Sequence, residues 1–234
     1  MTVERDRDVT KRMNWFDRQF LRAQDLADEQ DFHRDRRARH NRLLHGWGIV
    51  CGVRVSVVGK TVVRVTPGYV LGPYGDEILV PDEVTLDVTQ QSSVAGIDCA
   101  PVDPWCAEPP RLREDQPAYL AVRHVERDTR PVRVPACGCA CDDAACEYSR
   151  VRDGFELAVL AELPEAYRTN ERPSLDAVTS CANGPRDPCP ACPADPWVIL
   201  ADVTVSAGAV HVEPEPHRRY VASYAGYWYG CAAG

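Results

Sequence analysis

Seven of the eleven cysteines fall between Cys137 and Cys192. Cys137-Gly138-Cys139-Ala140-Cys141 is followed by Cys146, and Cys181 by Cys189-Pro190-Ala191-Cys192. A C-x-x-C turn, or the tighter C-x-C, lets two thiolates approach one tetrahedral ion. Thiolates are soft ligands, which favours zinc over hard cations, and the spacing matches no ferredoxin-type iron–sulfur run. Each group precedes a strand-like segment. Adjacent strands bringing the two loops together would assemble one four-thiolate zinc site and leave three thiols over. Disulfides formed after release, or free thiols on loops, are the other states open to these side chains. A redox role for Cys189 and Cys192 lacks the helix N-terminus that lowers a thiol pKa. Cys51 alternates with core residues and reads as a small hydrophobe. Cys99, Cys106 and Cys231 carry no readable role.

Histidines form the second group with chemical potential. His33 and His40 are seven residues apart on one predicted helical face, and His45 lies just beyond its end. Such an array can hold a metal or supply a general base. It is not the H-E-x-x-H arrangement of a metalloprotease. Leu26, His33, His40 and Leu44 share a stripe, so the expected role is hydrogen bonding at a helix–sheet contact. A metal-dependent enzyme built on His33, His40 and His45 is the alternative. No Ser-His-Asp order, phosphate loop or paired-carboxylate motif gives it a mechanism, and no enzyme is expected.

The positioning elements follow from charge order and period. Acidic Asp25, Asp28, Glu29 and Asp31 precede basic Arg36, Arg37, Arg39 and Arg42. That order complements a helix dipole and predicts a helix from Ala23 or Gln24 to Leu44, stopped by Gly46 and Gly48. Before it, Trp15, Phe16, Phe20 and Leu21 crowd into a segment without helical period, read as an extended arm packed onto something. After it, Ile49, Cys51, Val53, Val55 and Val57 alternate as in one half-buried strand. Turn clusters at Gly59-Lys60, Pro67-Gly68 and Gly72–Asp76 separate Thr61–Val65, Glu77–Val80 and Val84–Val88, a meander. Ala118–Val122, Gly154–Leu160 and Pro196–Val203 repeat a strand pattern between long Pro-, Asp-, Arg- and Cys-rich loops, which need something to hold them. A hairpin at Val203–Val212 turns at Ala207-Gly208 and leads to an aromatic tail with Tyr224, Tyr227, Trp228 and Tyr229.

The expected fold is therefore mainly β. It has antiparallel sheets, sandwich- or barrel-like, with one N-terminal helix and long Cys-rich loops. An arm and helix (1–48) precede a meander (49–90) and a β region with Cys-rich loops (91–234), the last two as one continuous domain.

Over 234 residues the net charge is −8, which argues against nucleic acid or an anionic membrane surface as partner. No stretch reaches the roughly 20 apolar residues that span a bilayer. The charged Met1–Phe16 lacks the apolar core of a secretory signal. The cytosol is the expected compartment, with release by lysis inside a particle as a further step.

Three stretches carry a resemblance. Phe16-Asp17-Arg18-Gln19-Phe20-Leu21 leads into Glu29-Gln30-Asp31-Phe32-His33. The chain continues as His40-Asn41-Arg42-Leu43-Leu44-His45-Gly46-Trp47-Gly48-Ile49-Val50-Cys51-Gly52-Val53. This resembles a bacterial group of proteins associated with phage-tail-like contractile injection gene clusters. Thr66–Leu71 with Gly75–Ile78 resembles the β modules of tail fibre and baseplate proteins, and Cys146–Phe155 is similar to a segment of the same group. The likeness touches residues 14–90 and 146–160. Arg18 departs from it, standing where a turn-like F-D-G-Q has glycine.

The resemblance implies a structural particle subunit, at the baseplate, fibre attachment or tube end, and no catalytic residues. Its partners would be other subunits, with Trp15, Phe16, Phe20, Leu21, Tyr224, Tyr227, Trp228 and Tyr229 as binding segments. A free-standing zinc-stabilised binding module is the other non-catalytic reading.

Overall fold

Charge order and a glycine stop make the first element. The computed structural model describes residues 12–89, 94–95, 115–133, 146–168 and 191–221. In it, helix α1 spans Ala23–His40 and continues as a wider π-type turn, Asn41–His45. The Asp25 carboxylate accepts the Arg22 backbone N–H at 2.8 Å, next to the positive end of the dipole, while Arg37, Arg39 and His40 occupy the last α-turn. Gly46 then takes φ +74°, a conformation glycine adopts without steric cost.

Among the described residues, eleven strands follow in three sheets. β1 (Gly48–Gly52), β4 (Gly68–Leu71) and β5 (Glu77–Val80) form the first, in the order β1-β4-β5. β2 (Val55–Val57), β3 (Val62–Val65) and β6 (Val84–Asp87) form the second. The third has the order β11-β10-β8-β9-β7, from β7 (Val94–Ala95), β8 (Pro117–Arg133), β9 (Cys146–Leu160), β10 (Val198–Ser206) and β11 (Ala209–Glu213). Every paired strand is antiparallel. A single helical turn, α2 (Glu165–Arg168), follows β9. The mainly β antiparallel fold with one N-terminal helix is as expected.

One apolar core draws on all three sheets. Ile49, Val70 and Ile78 come from the first, Val63, Val65 and Leu86 from the second, and Leu120, Leu157 and Leu200 from the third. The period-2 alternation of β3 and β5 places Val63, Val65, Ile78 and Val80 inside and their neighbours outward.

Two expectations need correction. The alternation from Ile49 to Val57 is not one strand. Pairing of β1 with β4 passes from Ile49↔Val70 to Cys51↔Tyr69, so Val50 is an extra, bulged residue. Val53 at φ +45° then ends the run, and β2 joins a different sheet. The bulge inverts the alternation, which leaves Cys51 exposed rather than in the core. Second, the polar stretches after Val122 and before Gly154 are not loops. β8 and β9 stay paired from Tyr119↔Leu160 to Arg133↔Cys146, a ribbon with its own backbone ladder.

Candidate functional site

The N-terminal arm and α1 form the first surface of interest. Asp17 and Arg18 make a tight turn, in which the Gln19 N–H donates to the Phe16 carbonyl at 3.3 Å. Arg18 has φ +68°, so the arginine holds the left-handed conformation that glycine would supply in F-D-G-Q. The Met13 N–H donates to the Glu29 carboxylate at 3.2 Å and lays the arm beside the helix. The body of the chain leaves the aromatic residues of the arm uncovered. Trp15 is 46%, Phe16 66%, Phe20 95% and Leu21 56% exposed. Tyr224, Tyr227, Trp228 and Tyr229 lie outside the described residues.

α1 itself buries no residue. Its C-terminal half is fastened to the sheets by polar contacts. Arg34 pairs with Glu126 of β8, and Arg37 Nε lies 3.6 Å from the Glu77 carboxylate of β5. The Asn41 amide donates to the Gly75 carbonyl at 2.9 Å. Gly75, at φ +87°, lies so close that a β-carbon there would overlap the Ala38 carbonyl.

The histidines occupy solvent rather than a helix–sheet contact. His33 Nε2 meets Glu29 at 3.1 Å on the same helix, with the imidazole 65% exposed. His40 and His45 stack edge to face at 5.4 Å between centroids. The three do not assemble into a three-ligand group. The helix–sheet distance is spanned by Arg34, Arg37 and Asn41 instead.

Among the described residues one such group exists. His124 and Glu126 on β8 and Asp153 on β9 bring their ligand atoms within 4.8 Å of one another. Glu126 opposes Asp153 directly in the register, so β-strand alternation points all three to one face. His124 Nε2 is 3.4 Å from Asp153. The Arg34 guanidinium already supplies Glu126 with a cation, which makes the cluster an ion-pair network docking α1 on the ribbon. Asp76, held in the Gly72–Asp76 turn, has its carboxyl pushed above the usual range by burial. Its own backbone N–H, His124 and the Tyr74 N–H oppose that shift.

A second cluster lies on the third sheet, where the sequence alone singles out nothing. His217 Nδ1 is 2.7 Å from Asp202 of β10, and its ring meets Tyr119 edge to face at 5.4 Å. Burial raises the Asp202 pKa, against the opposing hydrogen bond and charge of His217. The Asp202 Oδ1 is buried with no partner among the described residues. The following Arg218 is buried and bridges sheets, donating to Gly52 O of β1 at 2.8 Å and Leu200 O of β10 at 3.3 Å. Arg219 stacks on Trp47 at 4.0 Å, and Trp47 meets Tyr167 of α2 edge to face. The Ile49 N–H donates to Arg219 O at 2.8 Å, and the Val221 N–H to Ile49 O at 2.9 Å. The 217–221 segment is thus a clasp across β1 and β10. Its signal in the sequence is a His-Arg-Arg run with no period to place it.

Of the cysteines expected to bind metal, Cys137, Cys139, Cys141, Cys181 and Cys189 lie outside the described residues. Cys146 opens β9, with its backbone paired to Arg133. Cys192 is exposed near Tyr74, whose hydroxyl donates to Ala194 O at 2.8 Å. Burial, Cys192 and Asp195 together raise the Tyr74 pKa. No helix of the described residues is long and apolar enough to cross a membrane.

No protein-family model matches the chain, and no curated protein matches it.

Proposed function

We propose that this chain is a non-catalytic structural subunit of a phage-tail-like contractile particle. It would attach to neighbouring subunits through the arm at Trp15, Phe16, Phe20 and Leu21 and through the aromatic tail at Tyr224, Tyr227, Trp228 and Tyr229. The particle assignment is carried by the resemblance of residues 14–90 and 146–160. The observation that carries the attachment role is the exposure of the arm, above all Phe20 at 95%. An aromatic side chain buries about 150–250 Å² when covered, and at about 25 cal/mol per Å² an exposed pair forgoes several kcal/mol that a partner would restore. Thiolate zinc on Cys137, Cys139, Cys141, Cys146, Cys181, Cys189 and Cys192 is part of the same proposal, as the stiffener of the Cys-rich segments. Assembly is placed in the cytosol, with release by lysis.

The test is incorporation. Particles purified from cells expressing the chain with Phe16 and Phe20 changed to Ser should lack it, while wild-type chain co-sediments with sheath and tube. Absence of the wild-type chain from particles would remove the reading and leave a free-standing binding module. Zinc is tested separately by elemental analysis of chain purified under reducing conditions, with one or two ions per chain expected to be lost on thiol alkylation. A folded, metal-free chain would exclude it.

A further inference from the structure

His124, Glu126 and Asp153 stand where the β8–β9 ribbon leaves the core. Phe155, which opposes His124 in the register, is buried, whereas residues 147–153 of β9 are exposed. Glu126 and Asp153 are direct cross-strand partners. Like charges so placed destabilise an antiparallel pair, and a cation between them removes the penalty. Arg34 supplies part of that charge, meeting Glu126 at Oε1. The second oxygen of the same carboxylate can serve an ion while the first holds the helix.

The spacing of the other two side chains is that of ligands rather than of a hydrogen-bonded pair. His124 Nε2 and the Asp153 carboxylate are 3.4 Å apart, long for a charge-assisted hydrogen bond of about 2.7–2.9 Å. His217 and Asp202, by contrast, close to 2.7 Å. Two ligands on one tetrahedral ion, with bonds of about 2.0–2.1 Å, stand about 3.3–3.4 Å from each other. All three ligand atoms lie within 4.8 Å of one another, so small side-chain rotations bring the third onto the same ion.

We infer that His124, Glu126 and Asp153 bind one zinc ion at the root of the ribbon. An imidazole nitrogen with two carboxylate oxygens suits zinc better than magnesium or calcium, which prefer oxygen alone. Three protein ligands leave the fourth position to water, and Asp153, 82% exposed at its side chain, gives the ion its way in. The ion rivets β8 to β9 and, through Glu126 and Arg34, stiffens the seat of α1. The site uses no cysteine and goes beyond the proposed function, standing or falling apart from it.

Equilibrium dialysis of the full chain against micromolar zinc tests the site by difference, which cancels any zinc held on thiolates. Wild type should hold one ion more per chain than Asp153→Asn or His124→Gln. Loss of a ligand should weaken that ion by at least the roughly 10–100-fold that follows loss of an outer-shell partner. The Asp153 side chain is exposed, so Asp153→Asn should fold as wild type, which circular dichroism checks. Asp128→Asn, two residues further out on the same strand face, should bind as much zinc as wild type, and equal magnesium should not compete. Equal zinc in wild type and Asp153→Asn, an equal loss in Asp128→Asn, or displacement by magnesium would each overturn the site. Thiol alkylation, which tests the thiolate zinc, should leave this ion in place.

Discussion

At the scale of single residues, burial separates two histidines that the sequence presents alike. His33 is exposed and pairs with Glu29 of its own helix, so His33→Gln should change unfolding free energy by no more than about 0.5 kcal/mol in a denaturant titration. His217 is partly buried against Asp202 at 2.7 Å. Its replacement by Ala leaves a half-buried carboxylate unpaired and should cost about 1–3 kcal/mol. Asp76 gives a pH signature. Burial raises its pKa above the ordinary carboxylate range, so the folded state holds the proton more tightly than the unfolded chain. The protonated form therefore contributes stability that is full below the unfolded value and is lost as pH rises through the folded one. Relative to Asp76→Asn, which keeps an acceptor but does not titrate, the wild type should gain stability as pH falls from neutrality into the acid range. A parallel pair of stability–pH curves would show that the turn tolerates the charged form at no cost. None of these distinctions is legible in the sequence. Histidine type and helical spacing are the same for a solvent-facing stripe and a sheet-facing one, and the carboxylate that meets His217 is set by tertiary contact, 15 residues back along the chain.

Among the elements, those with a strong local signal are legible and those set by pairing are not. The charge order and glycine stop of α1, the alternation of Glu77–Val80, and the Ala207-Gly208 hairpin all match what forms. Each is a short-range pattern in which propensity, turn chemistry and burial agree. The ribbon of β8 and β9 is hidden beyond its buried base. Both faces of its outer half meet solvent, so residues such as Arg127, Asp128, Arg150 and Arg152 show no apolar period. The bulge at Val50 is hidden because one added residue leaves no mark in the composition, yet it turns Cys51 outward before Val53 is buried again. Glycines can test how α1 is seated. Gly46 and Gly75 both have positive φ, but a β-carbon at Gly46 meets open space and one at Gly75 meets the Ala38 carbonyl. Gly46, at φ +74° and ψ −153°, lies in a region essentially confined to glycine, so Gly46→Ala should carry backbone strain alone, about 1–3 kcal/mol. Gly75→Ala should cost more and in addition raise amide exchange through α1, since the helix must lift off the β4–β5 turn. Equal losses at the two positions would mean that α1 is not seated on Gly75.

Across the whole molecule, the two ends of the described chain play different parts, and truncation should tell them apart. The arm before Ala23 shares a hydrogen bond with α1 through Met13 and keeps Phe16 and Phe20 in solvent. Removing residues 1–21 should leave the melting temperature nearly unchanged while abolishing particle incorporation. The opposite end is built into the fold. Arg218 ties Gly52 to Leu200, and Ile49 exchanges backbone hydrogen bonds with Arg219 and Val221. Gly48 leaves no room for a side chain against the Arg219 carbonyl. Ending the chain at Val221 keeps the clasp and removes only the aromatic tail, so stability should hold while assembly weakens. Ending it at Pro216 removes the clasp, uncovers the β1 edge and strands the Gly52, Leu200 and Ile49 carbonyls and the Ile49 N–H. Each buried polar group left without a partner costs about 1–3 kcal/mol, a large part of the roughly 5–15 kcal/mol that holds a domain folded. Thermal unfolding and particle co-sedimentation of the three truncated chains separate the roles. A large loss of melting temperature on removing residues 1–21, or none on ending at Pro216, would reverse which terminus serves the fold and which serves a neighbour.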